Sequence, residues 1–147
     1  MSEIQGRSAA MPAAPENFVL AIPVGLAVAV AGALAWAVVT VVTNFQIGIM
    51  ALAVGYAVGR AIKAVGHGRS QKFGMLGAAC AFFGCLLGNL FSAIGIFAQQ
   101  EHLDIMNVVA HATPDLLFAL MKGISRVMDI VFYGIAIYEG FRFSFDP

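Results

Sequence analysis

The side chains best suited to chemistry are few. His102, Asp104, His111 and Asp115 form a loose set. Imidazole and carboxylate groups bind zinc. Their spacing matches no zinc motif, however, and Pro114 would interrupt the helix needed to bring His111 and Asp115 one turn apart. No metal is expected. Cys80 and Cys85 are five residues apart inside an apolar run. On a helix that spacing is about 500°, so the thiols point about 140° apart. It suits neither a disulfide nor a redox or zinc pair. His67 stands between glycines in a basic link and is expected to be solvated. There is no nucleotide loop, nucleophile elbow, HExxH motif or paired Glu-x-x-His. Asp129 and Glu139 are poorly placed for a proton relay. Asn89, beside Gly88 within an apolar run, needs a hydrogen-bond partner. An interhelical bond or a substrate contact would meet that need. The expectation is a protein with no catalytic residues and no cofactor: not an enzyme.

The elements that would position these groups are apolar. Of the 147 residues, 61% are hydrophobic and only 11% are charged. Soluble domains carry about 25% charged residues. A membrane span takes about 20 apolar residues, and three runs qualify: 18–42, 47–65 and 73–98. The first is too long for a signal peptide, whose apolar region is about 7–15 residues. Pro23 lies in its first turns, where a missing N–H costs little. Only residues 43–46 separate the first two runs, which makes them an antiparallel hairpin. The predicted fold is all-α and membrane-embedded: a flexible tail over 1–17, three transmembrane helices within 18–98, and a polar link with a C-terminal element over 99–147.

That last element is less clean. Asp115, Lys122, Arg126 and Asp129 fall within about 60° of one another on a helix. This stripe predicts a broken element, with an interfacial piece near 114–126 and a short apolar helix near 128–141. A fourth span with its stripe turned toward other helices is the alternative.

Charge placement orients the chain. Arg60, Lys63, Arg69 and Lys72 are four of its eight basic residues and cluster around the second link. Residues 99–115 carry Glu101, Asp104 and Asp115 with no Lys or Arg. The positive-inside rule puts the basic link and the N-terminus in the cytoplasm, and Arg7 agrees. The same four residues could meet anionic lipid headgroups, although anchoring the topology is enough to explain them. Zero net charge gives no reason to expect a nucleic-acid partner.

The strongest pattern is glycine. Gly48, Gly55, Gly59 and Gly66 repeat as Gly77, Gly84, Gly88 and Gly95, both at intervals of seven, four and seven. Each set falls within about 20° of one line on its helix. Small residues let helix backbones approach closely where lipid removes the hydrophobic drive. Tight packing of the hairpin is the expected use. A homo-oligomer face or an inverted repeat is the sharper alternative. Gly25, Ala29 and Gly32 give the first run a partial version.

The segment Gly48-Ile-Met-Ala-Leu-Ala-Val-Gly55-Tyr-Ala-Val-Gly59, the Gly66-His-Gly-Arg-Ser link, the glycine-punctuated third run and the closing Asp129-Ile-Val-Phe-Tyr-Gly resemble a group of small bacterial inner-membrane proteins of unknown function. The resemblance implies a bacterial inner-membrane location and carries over no functional residue. The expected role is a scaffold or accessory subunit that binds a membrane partner or a second copy. A small oligomeric channel or transporter component is the alternative.

Overall fold

The structure, a computed structural model, describes residues 15–45, 48–124 and 127–145. The tail up to residue 14, Arg7 included, and Arg126 of the polar stripe lie outside the described residues. The described chain is helical, with six helices and no strand: α1 Phe18–Thr43, α2 Met50–Gly66, α3 Gln71–Gln100, α4 Ile105–Ala110, α5 Pro114–Ile124 and α6 Val127–Phe143.

Local chemistry sets the helix ends. The Asn17 side chain accepts the Leu20 N–H at 3.2 Å and caps α1. The α1 ladder opens with the Ala21 N–H on the Asn17 carbonyl. Pro23 therefore falls two residues inside it and cannot donate to the Val19 carbonyl. At the far end Asn44 takes a left-handed conformation, φ 52°, and turns the chain toward α2. α2 ends on His67, also left-handed at φ 48°, whose N–H returns to the Lys63 carbonyl at 3.0 Å. Pro114 opens α5, where its missing N–H is harmless. The Thr113 hydroxyl there accepts the Leu116 N–H at 3.2 Å.

α1 and α3 are each long and apolar enough to cross a membrane. α2, expected as a third span, has only 17 residues, as does α6. Both fall short of the roughly 20 that a bilayer asks.

The side-to-side contacts give the topology. Gly25 meets Ile62 and Gly32 meets Val54, so α1 and α2 are antiparallel. Ala29 meets Gly84 and Val41 meets Gly95, so α1 and α3 run the same way. Gly48 meets Phe132 and Gly59 meets Phe143, so α6 runs with α2. α2 and α3 form the middle of a four-helix arrangement. α1 and α6 flank them and do not touch each other among the described residues. Trp36, Val58, Ile62, Phe73, Cys80 and Cys85 are buried at the centre. A second cluster, in which Ile94, Ala98 and Val108 meet Leu117 and Leu120, ties α4 and α5 to the end of α3.

Candidate functional site

Each of the eight repeated glycines lies where an added methyl would collide with a neighbour. At Gly55 it would stand 2.5 Å from the Ala136 carbonyl oxygen and 2.8 Å from the Ala136 Cα. At Gly59 it would be 2.9 Å from the Phe143 Cβ and 3.1 Å from the Glu139 carbonyl. Gly48 receives the Phe132 ring. The glycine line of α2 is therefore occupied by α6, with backbone against backbone at Gly55. Gly77 does the same from α3, since its missing side chain leaves room for Ser144 and the Gly140 carbonyl.

This differs from the expected hairpin. The two glycine lines do not face each other. Higher on α3 the line passes to α2 and α1: Gly84 admits Val54 of α2 and Ala29 of α1, Gly88 lies under the Trp36 ring, and Gly95 receives Val41. Gly66 meets neither α6 nor the middle of another helix but the first turns of α1 and α3, at Ala21 and Phe73. With Gly68 it makes room for the buried Phe73 ring, over which the basic link folds. Because helices cross at an angle, one line can meet different neighbours along its length.

Asn89 finds its partner on α6. Its amide donates to the Tyr133 hydroxyl. That hydroxyl donates to the Cys85 carbonyl at 3.1 Å. Phe82 stands edge-on to the Tyr133 ring at 6.4 Å. Asp129, one turn before Tyr133 on the same helix, is 8% exposed. On the α1 side, Ser92 donates to the Gly88 carbonyl at 2.6 Å, while the Trp36 indole nitrogen and the Thr40 hydroxyl are buried without a hydrogen-bond partner. A buried polar band thus crosses the bundle from Thr40 to Asp129. Of this band the sequence signalled Asn89 and, in the polar stripe, Asp129. Tyr133 was missed because nothing in the spacing linked the last helix to α3.

Glu139 is half-buried, and its Oε2 is enclosed with no hydrogen-bond partner. It is level with Gly59. Interpolating between the Gly32–Val54 and Gly25–Ile62 contacts, that level is within about 5 Å of the middle of α1. Arg60, the next residue on α2, is exposed at nearly the same height.

The remaining predicted residues are spread out. Arg60, Arg69 and Lys72 are exposed and Lys63 is half-buried. Arg69 and Lys72 stand on the link and the first turn of α3, where the Arg69 N–H is held by the Glu16 carboxylate at 2.7 Å. His67, His102, Asp104, His111 and Asp115 are all exposed. The described residues contain no group of three His, Cys, Asp or Glu able to hold a metal. Cys80 and Cys85 are both buried and free.

Comparison of the chain with protein-family models, with curated proteins and with solved structures finds no match.

Proposed function

We propose that this chain is a non-enzymatic, multi-pass integral membrane protein that serves as a scaffold or accessory subunit. The observation that carries the reading is its apolar perimeter. Val19, Leu34, Val38 and Val42 on α1, Met75 and Phe82 on α3, and Ile130, Val131 and Tyr138 on α6 are all exposed. In water so broad an apolar surface would drive aggregation, whereas lipid solvates it. In this reading α1, α2, α3 and α6 all cross. The two shorter helices are accommodated by local thinning and by flanking basic residues. Met106, Val109 and Phe118 of α4 and α5 lie in the outer interface. The N-terminus and the basic link 66–72 face the cytoplasm, where Lys63, Arg69 and Lys72 favour anionic lipid. The resemblance to small bacterial proteins makes the inner membrane the proposed location. Glycine packing holds the bundle together, which leaves its outer faces for partners.

Purification from native membranes in mild detergent tests the role. A membrane protein or a second copy should co-purify in fixed ratio. A monodisperse monomer with no bound protein would overturn the scaffold reading.

A second reading, a small oligomeric channel or transporter component, is favoured by Asp129 and Glu139. Carboxylates at membrane depth mark ion and proton paths. Ion or proton flux into liposomes that hold only this protein would establish it over the first.

A further inference from the structure

We propose that the outer face of α2 and α6 is where a second copy of this chain docks, across a two-fold axis along the membrane normal, with Glu139 of each copy against Arg60 of the other. The inference rests on the membrane reading above. In lipid, both charges stand near mid-depth, where an unpaired charge is costly. Arg60 is exposed and Glu139 half-buried, and neither forms an ion pair among the described residues.

Pairing within one chain is disfavoured by direction. On α2, Gly48, Gly55 and Gly59 face α6. Arg60 lies about 120° around the helix from that line. On α6, Phe132, Ala136 and Phe143 face α2, and Tyr133 and Gly140 face α3. Glu139 lies about 40° beyond the α2 line, on the side away from α3. The two charges therefore share one outer face but diverge on it. Snorkelling does not rescue Arg60 easily. Side chains lean toward the N-terminus of their helix, which for α2 is the end away from the basic link.

A two-fold axis places residue i of one copy against residue j of the other, and j against i. One acid and one base at nearly the same height make such a face self-complementary in charge. The rest of the face suits close approach: Ala53, Ala57 and Ala64 are exposed along α2 beside Arg60. Tyr56 and Tyr138, 49% and 63% exposed, supply the large contacts.

The test uses two differently tagged full-length copies, co-expressed and solubilised in mild detergent. Wild-type copies should co-purify. Glu139→Arg should fail to pair with itself, as should Arg60→Glu, because each sets like charges against each other twice. A Glu139→Arg copy and an Arg60→Glu copy should pair with one another, because both contacts are then restored with sign reversed. Pairing within a chain predicts no such rescue. Absence of a wild-type dimer, self-pairing of either variant at wild-type level, or failure of the mixed pair overturns the proposal. If the charge reversals do not fold, Glu139→Gln and Arg60→Gln decide. Each should weaken pairing about tenfold, and unchanged pairing overturns the proposal. Resistance of every variant to alkaline carbonate extraction is scored separately. Loss of the wild-type chain from the membrane pellet would refute the membrane reading itself.

Discussion

Gly55 of α2 faces the backbone of Ala136 on α6 so closely that a methyl group at position 55 would meet the Ala136 carbonyl oxygen at 2.5 Å. A flexible side chain could turn aside; a backbone carbonyl inside a helix cannot. Gly55→Ile should therefore separate α2 from α6, and Gly59→Ile should do so next to Phe143. Overpacking costs about 1–3 kcal/mol per site where neighbours can adjust, and Gly55 should lie at or above the top of that range. Ala57 is exposed on the side of α2 away from α6, so Ala57→Ile should leave thermal unfolding of the monomer in detergent nearly unchanged, read at dilutions where copies do not pair because position 57 lies on the proposed face between them. Equal damage at positions 55 and 57 would mean that α6 does not lie on the glycine line.

The hydrogen bonds from Asn89 to Tyr133 and on to the Cys85 carbonyl predict an energetic coupling between α3 and α6. Tyr133→Phe removes the hydroxyl that accepts this Asn89 hydrogen bond, while Asn89→Ala removes its donor. The two losses should not add. A double-mutant cycle on thermal stability should give a coupling of about 0.5–2 kcal/mol. Strict additivity would show that the contact is not formed.

What the sequence made readable was set by local chemistry. Apolar length marked α1 and α3, the polar stripe and Pro114 separated α5 from what precedes and follows it, and the seven-four-seven spacing marked smooth lines on α2 and α3. Spacing says that a face is smooth; it does not say which helix lies on it. Gly66 shows this best, because its missing side chain accommodates the Phe73 ring at the start of α3 and not α6, which covers Gly55 and Gly59. The last helix was read from the polar stripe as a short apolar piece near 128–141 behind an interfacial one, with no neighbour assigned to it. Its small residues Ala136, Gly140 and Ser144 recur every four positions and are the ones that meet α2 and α3. That row was the available signal, and the charges hid it. Asn89 announced a need for a partner, yet a partner 44 residues away leaves no local trace.

His67 ends α2 at φ 48°, a conformation that costs a residue with a Cβ roughly 1–2 kcal/mol. His67→Gly should relieve most of that cost, at some expense in unfolded-chain entropy. A gain of about 1 kcal/mol would appear as a rise in Tm of about 2–5 °C. His67→Ala keeps the Cβ and should give no such rise. If alanine stabilises as much as glycine, the histidine side chain is at fault and the left-handed cap is not strained.

Gln71 opens α3 and Asp104 follows its end; both side chains are exposed and neither forms a described hydrogen bond. The 30 residues of α3 between them extend about 45 Å, more than the roughly 30 Å of bilayer hydrocarbon. If α3 crosses, the two positions must lie on opposite sides. The basic residues around the link place Gln71 inside. Single cysteines at 71 and 104, introduced after Cys80→Ala and Cys85→Ala, would be exposed to an impermeant thiol reagent from outside intact cells. Cysteine 104 should label and cysteine 71 should not, until the membrane is opened. Labelling of 71 alone would keep the span and reverse the orientation. Labelling of both from the outside would mean that α3 does not cross, and with it would fall the reading of its exposed apolar residues as lipid-facing.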